Sequence, residues 1–281
     1  MSVDELDAKS PFFDAIYAGA RSMDLPLEAL ISENATGQYE LTLRYRDLLR
    51  AADDIFIAKR LIRCTARRFW MEACFMAKPF GNKSGSGMHL HLSLGDGAGR
   101  NLFADQPDGT LSPLMLHAII GVRRTIGETM LILAPFLNSW RRFASVVYSP
   151  ATDTWGVENR TVALRVPSGS AKARHFEHRV AGVDANPYLV AAVTLAAALD
   201  GIADRADPSP AASGDASGAG SCGALPRNWL AAIDTLDQSQ FARRVLGDLM
   251  HQGFVAIKRS EHDHMAVQVS EAEWAMYGFV V

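Results

Sequence analysis

The segment Lys78-Pro79-Phe80-Gly81-Asn82-Lys83-Ser84-Gly85-Ser86-Gly87-Met88-His89-Leu90-His91-Leu92-Ser93-Leu94 constrains this chain most, because a glycine-rich approach runs straight into strict alternation. From Met88 onward the period is two, which puts His89, His91 and Ser93 on one face of a strand and Met88, Leu90, Leu92 and Leu94 on the other. One face suits a core and the other suits polar chemistry. Gly85 and Gly87 permit positive φ and close backbone approach, as a loop wrapped around a small polar ligand requires. Two histidines in H-x-H spacing are also common on a half-exposed sheet face, so the segment becomes a site only through its company.

Charge narrows the partners. The 281 residues carry a net charge of −3, with 48% hydrophobic and 21% charged, the composition of a soluble globular chain with one large domain or two small ones. Near-neutrality removes any whole-chain electrostatic case for nucleic acid or an anionic membrane as partner. Cys64, Cys74 and Cys222 lie far apart without CxxC spacing, which suits a reducing compartment. The acidic start, Met1 to Asp7, has no apolar signal core, and no apolar run approaches the roughly 20 residues of a membrane span, so a cytoplasmic location is expected.

Periodicity predicts the order of elements. Phe12, Ile16, Ala20 and Met23 repeat at helical spacing within a predicted helix over 11–30, and a strand follows at 39–45 after Gly37. A second helix is expected over 52–70, striped by Ile55, Ala58, Ile62, Ala66 and Phe69, and Cys74 to Ala77 reads as a short strand delivering the glycine loop. Pro113 opens a long helix that Pro135 stops, and Asn186-Pro187 starts another that runs to about Gly201. Between them, residues 138–179 are rich in arginine and short β-like pieces. Residues 206–226, rich in Ala, Ser, Gly and Pro, are expected to form a flexible loop, and 227–281 a set of helices packed on the main body. His262 and His264 lie in a charged surface segment with little claim to a metal role.

Three further segments bring carboxylates and arginines. Glu33 and Glu40 flank a glycine turn; Asn159-Arg160-Thr161 leads to Arg165-Val166-Pro167; and His175, Glu177 and Arg179 share one strand face. Three glutamates and one histidine suit Mg²⁺ or Mn²⁺, whereas zinc favours more Cys and His. Arginines without acidic neighbours grip phosphate, and metal with arginines is the pattern of phosphoryl transfer. Each piece taken alone is equally readable as a solvated strand end or a surface ion pair. Arg160 and Arg165 also differ in parity, so a bulge, or Arg160 lying in the preceding loop, is needed to aim both at one site.

In order, the chain shows Glu-x6-Glu, Lys-Pro before Gly-Ser-Gly-Met-His-Leu-His, Asn-Arg-Thr-x4-Arg-Val-Pro, Lys-Ala-Arg-x2-Glu-x-Arg, and Asp184-Ala185-Asn186-Pro187-Tyr188-Leu189. Together these resemble the catalytic domain of the glutamine synthetase family over roughly residues 10–281, and the Glu33 to Glu40 spacing with Phe75-Met76-Ala77-Lys78-Pro79 resembles its γ-glutamylputrescine synthetase branch. The resemblance implies an α+β fold of the glutamine synthetase/guanidino kinase catalytic type, an antiparallel β-sheet with surrounding helices. It implies an ATP-dependent ligase that joins glutamate to ammonia or a small amine via γ-glutamyl phosphate, in a homo-oligomer of stacked rings. Residue by residue, it implies that Glu33 and Glu40 help hold one divalent ion, and His89 and Glu177 a second. His91, Ser93 and Lys172 would face the nucleotide, and Arg160 and Arg165 the transferring phosphoryl group. Gly85, Arg142 and Arg179 would hold the amino-acid substrate.

Some of the pattern is unmatched. The family's N-terminal β-grasp domain and the Glu-x-Glu strand after it have no counterpart among the 32 residues before Glu33, so this stretch alone is expected to bind metal and nucleotide weakly and to turn over little. Ser84 stands where relatives carry an asparagine, Tyr148 where they carry a flap glutamate with Glu158 further on, and His175 where they carry an arginine. The first two changes favour an amine over ammonia as acceptor. The loop at 206–226 has no tyrosine, so adenylylation has no target there. Two other classes remain open at this point, a non-catalytic remnant that assembles with full-length relatives and a guanidino kinase.

Overall fold

A computed structural model describes residues 3–144, 149–150, 152–216 and 225–280. The chain opens with α1 (Val3–Ser22), then β1 (Leu27–Ser32), β2 (Tyr39–Leu43), α2 (Leu48–Arg68) and β3 (Leu90–Leu92). Next come α3 (Pro113–Leu133), α4 (Leu137–Arg141), β4 (Trp155–Val157), β5 (Leu164–Val166), a 3₁₀ turn (Ala171–Ala173) and β6 (Phe176–His178). The helices α5 (Pro187–Ala203), α6 (Trp229–Gln238), α7 (Gln240–Leu246), α8 (Asp248–Ala266) and α9 (Glu271–Tyr277) complete the α+β fold.

Two sheets form. The strands β1 and β2 make an antiparallel hairpin by themselves, and the other four pair in the order β3-β6-β5-β4. The expected antiparallel pairing holds between β3 and β6 and between β6 and β5, but β4 joins β5 in parallel. The helix expected over 11–30 ends at Ser22 instead. Asp24 takes a left-handed φ of 54° and Pro26 follows, so Leu27–Ser32 leaves the helix and pairs with β2. Cys74 to Ala77 forms no strand, since Lys78 beyond it is held by a side chain: Asn138 accepts from its N–H and donates to its carbonyl, each at 2.9 Å.

The helix from Pro113 to Leu133 matches its sequence reading, and so does the start of α5, where the Asn186 side chain accepts from the N–H groups of Tyr188 and Leu189. The helices α3 and α5 lie under the four-stranded sheet and share its apolar core with Phe103, Leu164, Val166 and Phe176. A second, smaller core joins α1, α2 and the hairpin through Phe12, Phe13, Ile16 and Ile62. The first part of the loop expected at 206–226 is anchored to the β4 edge: Ala212 donates to Trp155 O at 2.8 Å and Trp155 Nε1 to Ser209 O at 2.9 Å. Residues 217–224 of that loop, including Cys222, lie outside the described residues, as does Tyr148. Among the described residues, no helix is long and apolar enough to cross a membrane.

Candidate active site

Register assembles the centre of the site. In β6, Glu177 stands opposite His91 of β3 on one side and Arg165 of β5 on the other, so three strands present one polar row. Its neighbours Phe176 and His178 point the other way into the core, and His178 Nδ1 meets Thr194 Oγ1 of α5 at 3.2 Å. Alternation thus makes one short strand both floor and working surface.

Glu177 is buried, and an imidazole and two guanidinium groups converge on it. His89 Nδ1 lies 2.9 Å from Oε1, Arg179 donates to Oε1 at 2.7 Å, and Arg165 donates to Oε2 at 3.2 Å. Burial alone would raise the carboxyl, but the His89 hydrogen bond and the Arg179 charge overcome it and hold Glu177 well below the usual carboxylate range. Burial likewise lowers His89, so it rests as a neutral imidazole. Arg165 also reaches Glu158 at 3.3 Å, while the buried Nε atoms of Arg165 and Arg179 have no hydrogen-bond partner among the described residues. These two donors and their charges are chemistry fit for an anionic group.

A second polar pair sits on the hairpin. Glu40 is exposed, yet its carboxyl is pushed up to about 7, first by desolvation of its oxygens, then by its contact with Glu33 and by the charges of Glu33 and Glu177. The charge of Glu177 thus reaches Glu40 across the site. Among the described residues, no group of three or more His, Cys, Asp or Glu side chains gathers at metal-holding spacing. What gathers are two pairs, Glu33 with Glu40 and His89 with Glu177. Oxygen-rich pairs whose mutual repulsion a cation would relieve fit Mg²⁺ or Mn²⁺, which commonly take one or two carboxylates and complete their shell with water and substrate phosphate.

Behind the row, Arg142 is buried and donates to Val180 O at 2.6 Å and to Arg179 O at 3.1 Å. The glycine loop rests against it. A Cβ at Gly85 would come within 2.8 Å of Ala77 O and of Arg142 Cγ, and one at Gly87 within 2.9 Å of Arg142 Nη2. Close approach, rather than the positive φ that the sequence also allowed, is what these two positions require; neither is in the left-handed region.

The other sequence-derived residues stand further out. Arg160 is exposed in the turn before β5, which answers the parity problem by placing it in the loop, and it makes no hydrogen bond or ion pair among the described residues. Ser93 is exposed just past β3, and Lys172 is exposed in the 3₁₀ turn. That turn is steadied by Asn101 Nδ2, which donates to Arg174 O at 2.7 Å. His91 Nδ1 lies 2.9 Å from His175 Nε2, just before β6, a pairing that parity alone does not reveal because the two residues are 84 positions apart. Gln38 carries no sequence signal, being a lone glutamine in a turn, and Glu158, legible only as a carboxylate beyond Tyr148, follows a strand end with φ 51° and reaches Arg165.

Fold and site together define an α+β domain whose four-stranded sheet carries a buried carboxylate ringed by two histidines and two arginines. The sequence matches the glutamine synthetase catalytic-domain family over residues 1–277, and the chain belongs to that family. It is 41% identical over 202 residues to γ-glutamylputrescine synthetase PuuA of Escherichia coli, covering 72% of this chain and 43% of that protein. To a glutamate–isopropylamine ligase of Pseudomonas it is 39% identical, covering 67% and 41%, and to the glutamine synthetase of Halobacterium salinarum 33%, covering 91% and 58%. A solved GmaS/ADP complex superposes with a TM-score of 0.89 at 30% identity, covering 98% of this chain and 65% of that one. The chain thus spans about half the length of these curated relatives.

Proposed function

We propose that this chain supplies the catalytic domain of an ATP-dependent ligase that joins the γ-carboxyl of glutamate to ammonia or a small amine. The observation that carries the reading is the row His91, Glu177, Arg165 with His89 and Arg179 closing on the same carboxylate. In the first step a glutamate γ-carboxylate oxygen attacks the γ-phosphorus of ATP, the bond to the β,γ-bridging oxygen breaks, and ADP leaves. In the second, the amine nitrogen attacks the acyl carbon, phosphate leaves with the C–O bond electrons, and the nitrogen gives up a proton.

The residues divide the work by position. Glu33 and Glu40 would hold one divalent ion and His89 and Glu177 another, and such ions supply charge neutralisation between phosphates and carboxylate. Arg165 and Arg160 meet the phosphoryl oxygens, and Arg179 meets the glutamate. His91, Ser93 and Lys172 border the nucleotide, while Gly85 and Arg142 shape the amino-acid side. An amine acceptor is favoured, because two of the relatives are by name ligases of putrescine and isopropylamine. A cytoplasmic homo-oligomer belongs to the same proposal, supported by the exposed Trp274 and Phe279 near α9, which suit cover by a neighbouring copy.

Thermal unfolding with Mn²⁺ and ADP tests the reading. A rise in midpoint with both, abolished in Glu177→Gln, is expected. An unchanged midpoint would overturn it and leave a non-catalytic assembly role.

A further inference from the structure

The two halves of the candidate ion site stand on different bodies. Glu33 and Glu40 flank the turn of the β1–β2 hairpin, which is a sheet of its own packed on the smaller core. Glu177 belongs to the four-stranded sheet over the larger core and His89 leads into its strand β3, and among the described residues no strand pairing joins the two sheets. The bodies meet where α2 packs on α5, with Tyr188 donating to Asp53 Oδ1 at 2.7 Å and Lys59 to Val183 O. Those contacts lie away from the hairpin turn, so a separate tie is needed to hold its carboxylates against the glycine loop.

At this joint lies Gln38, between the two hairpin glutamates. Its Nε2 donates to Gly85 O at 2.9 Å and lies 3.1 Å from Ser86 Oγ, while its Oε1 accepts from Ala35 N at 3.2 Å. Both ends of the amide are therefore engaged, and the accepted bond from Ala35 sets which end faces the glycine loop. The backbone of Gln38 closes the turn as well, accepting from Glu33 N and donating to Ala35 O, each at 2.9 Å. Asn34 adds a parallel tie, donating to Ser84 Oγ at 3.0 Å.

The far end of this clamp is itself held. Ser86 N donates to Ala77 O at 2.8 Å, Val183 N to Ser86 O at 3.1 Å, and Met88 N to Ala181 O at 2.9 Å, so the loop is anchored beside β6, with His89 the next residue along. We propose that Gln38, aided by Asn34, is the positioning residue that joins the hairpin to the glycine loop and so fixes the Glu33/Glu40 pair relative to His89 and Glu177. The inference rests on the divalent-ion reading above. A polar clamp that orients ligands without touching the ion acts as an outer-shell partner, and losing such a partner typically weakens metal binding about 10- to 100-fold.

The experiment titrates Mn²⁺, followed by the electron paramagnetic resonance of the free ion, into the unaltered chain, Glu177→Gln, Gln38→Met and Ser86→Ala. Met matches Gln in length but can neither donate nor accept in this way. The expected result is a Kd raised about tenfold or more in Gln38→Met, and less in Ser86→Ala, which keeps the Gly85 tie. Deuterium exchange over residues 27–43 is expected to quicken in Gln38→Met while exchange over α3 and α5 stays unchanged, which separates a loosened joint from general destabilisation. Should Gln38→Met fail to fold, Ser86→Ala carries the test with the same two readouts. Mn²⁺ binding lost in Glu177→Gln but kept at the parent Kd in Gln38→Met and Ser86→Ala overturns this inference alone. Absence of Mn²⁺ binding in the unaltered chain overturns the ion reading and this inference with it.

Discussion

The larger core and the smaller one are built differently. In the larger, α3 and α5 cross with backbones in contact at Gly121 and Gly201: a Cβ on Gly121 would lie 2.1 Å from Ala197 O, and one on Gly201 2.2 Å from His117 O. Phe103, Met115, Ile119, Ile126, Leu133 and Phe176 are fully buried around that crossing. In the smaller core the hairpin contributes only partly buried side chains, Leu27, Leu30, Tyr39 and Leu41, and a shallow apolar pocket opens among Ile16, Ala20, Leu25, Ala58 and Ile62. Close packing resists any change of volume, whereas a body with half-exposed apolar faces opens locally at lower cost. The lesson concerns function. One pair of candidate ion ligands rides on the rigid body and the other on the looser one, so the site is as ordered as the joint between them.

The comparison breaks most sharply at the helix crossing. Gly121→Ala places a methyl group against a backbone carbonyl that cannot turn away, so α3 and α5 must separate over their shared length. The expected loss is about 3 kcal/mol or more, large against the whole stability of a domain. Chemical denaturation with circular dichroism measures it. A loss below about 1 kcal/mol would mean that the larger core yields as readily as the smaller.

Second in size is Ile16→Ala, which removes a buried side chain from the smaller core. Truncating a buried isoleucine typically costs about 2–4 kcal/mol. The loss is expected to appear locally, as faster deuterium exchange over 27–43, with α3 and α5 protected as before. Equal loosening of both regions would show that the two cores unfold as one.

Legibility in the sequence follows the same division. The long helices were readable because Pro113, Pro135, Asn186 and Pro187 mark their ends by local chemistry, and the structure puts α3 at Pro113–Leu133 and starts α5 at Pro187. The end of α1 was missed, because the apolar spacing of Leu25, Leu27 and Leu30 continues a helical stripe and only pairing with β2 makes them a strand. His89, His91, Glu177, Arg165 and Arg179 come together through parity, which period two exposes. Register is not written in one strand, so the contact of His91 with His175 and the role of Glu158 beside Arg165 were not legible. Gln38 was invisible for another reason: a glutamine in a turn has no periodicity, and its partners are a backbone carbonyl and a serine hydroxyl 47 and 48 positions away.

The smallest expected effect distinguishes the two regions by the sign of their pH dependence. On the hairpin, Glu40 has its folded pKa raised to about 7 from an ordinary 4.5, so between those values the folded chain holds a proton that the unfolded chain has released. Stability from this group is greatest below pH 4.5 and is lost as pH rises through 7. In the larger core, burial lowers His178 to about 4 from 6.5, so here the unfolded chain takes up the proton first and stability is lost as pH falls from 6.5 towards 4. Glu40→Gln isolates the first term. Its thermal midpoint should match the parent near pH 5 and exceed it increasingly towards pH 8, by a modest margin because water screens an exposed carboxylate. A difference that stays constant across that range would mean that Glu40 is neither desolvated nor pressed by Glu33 and Glu177 in the folded chain.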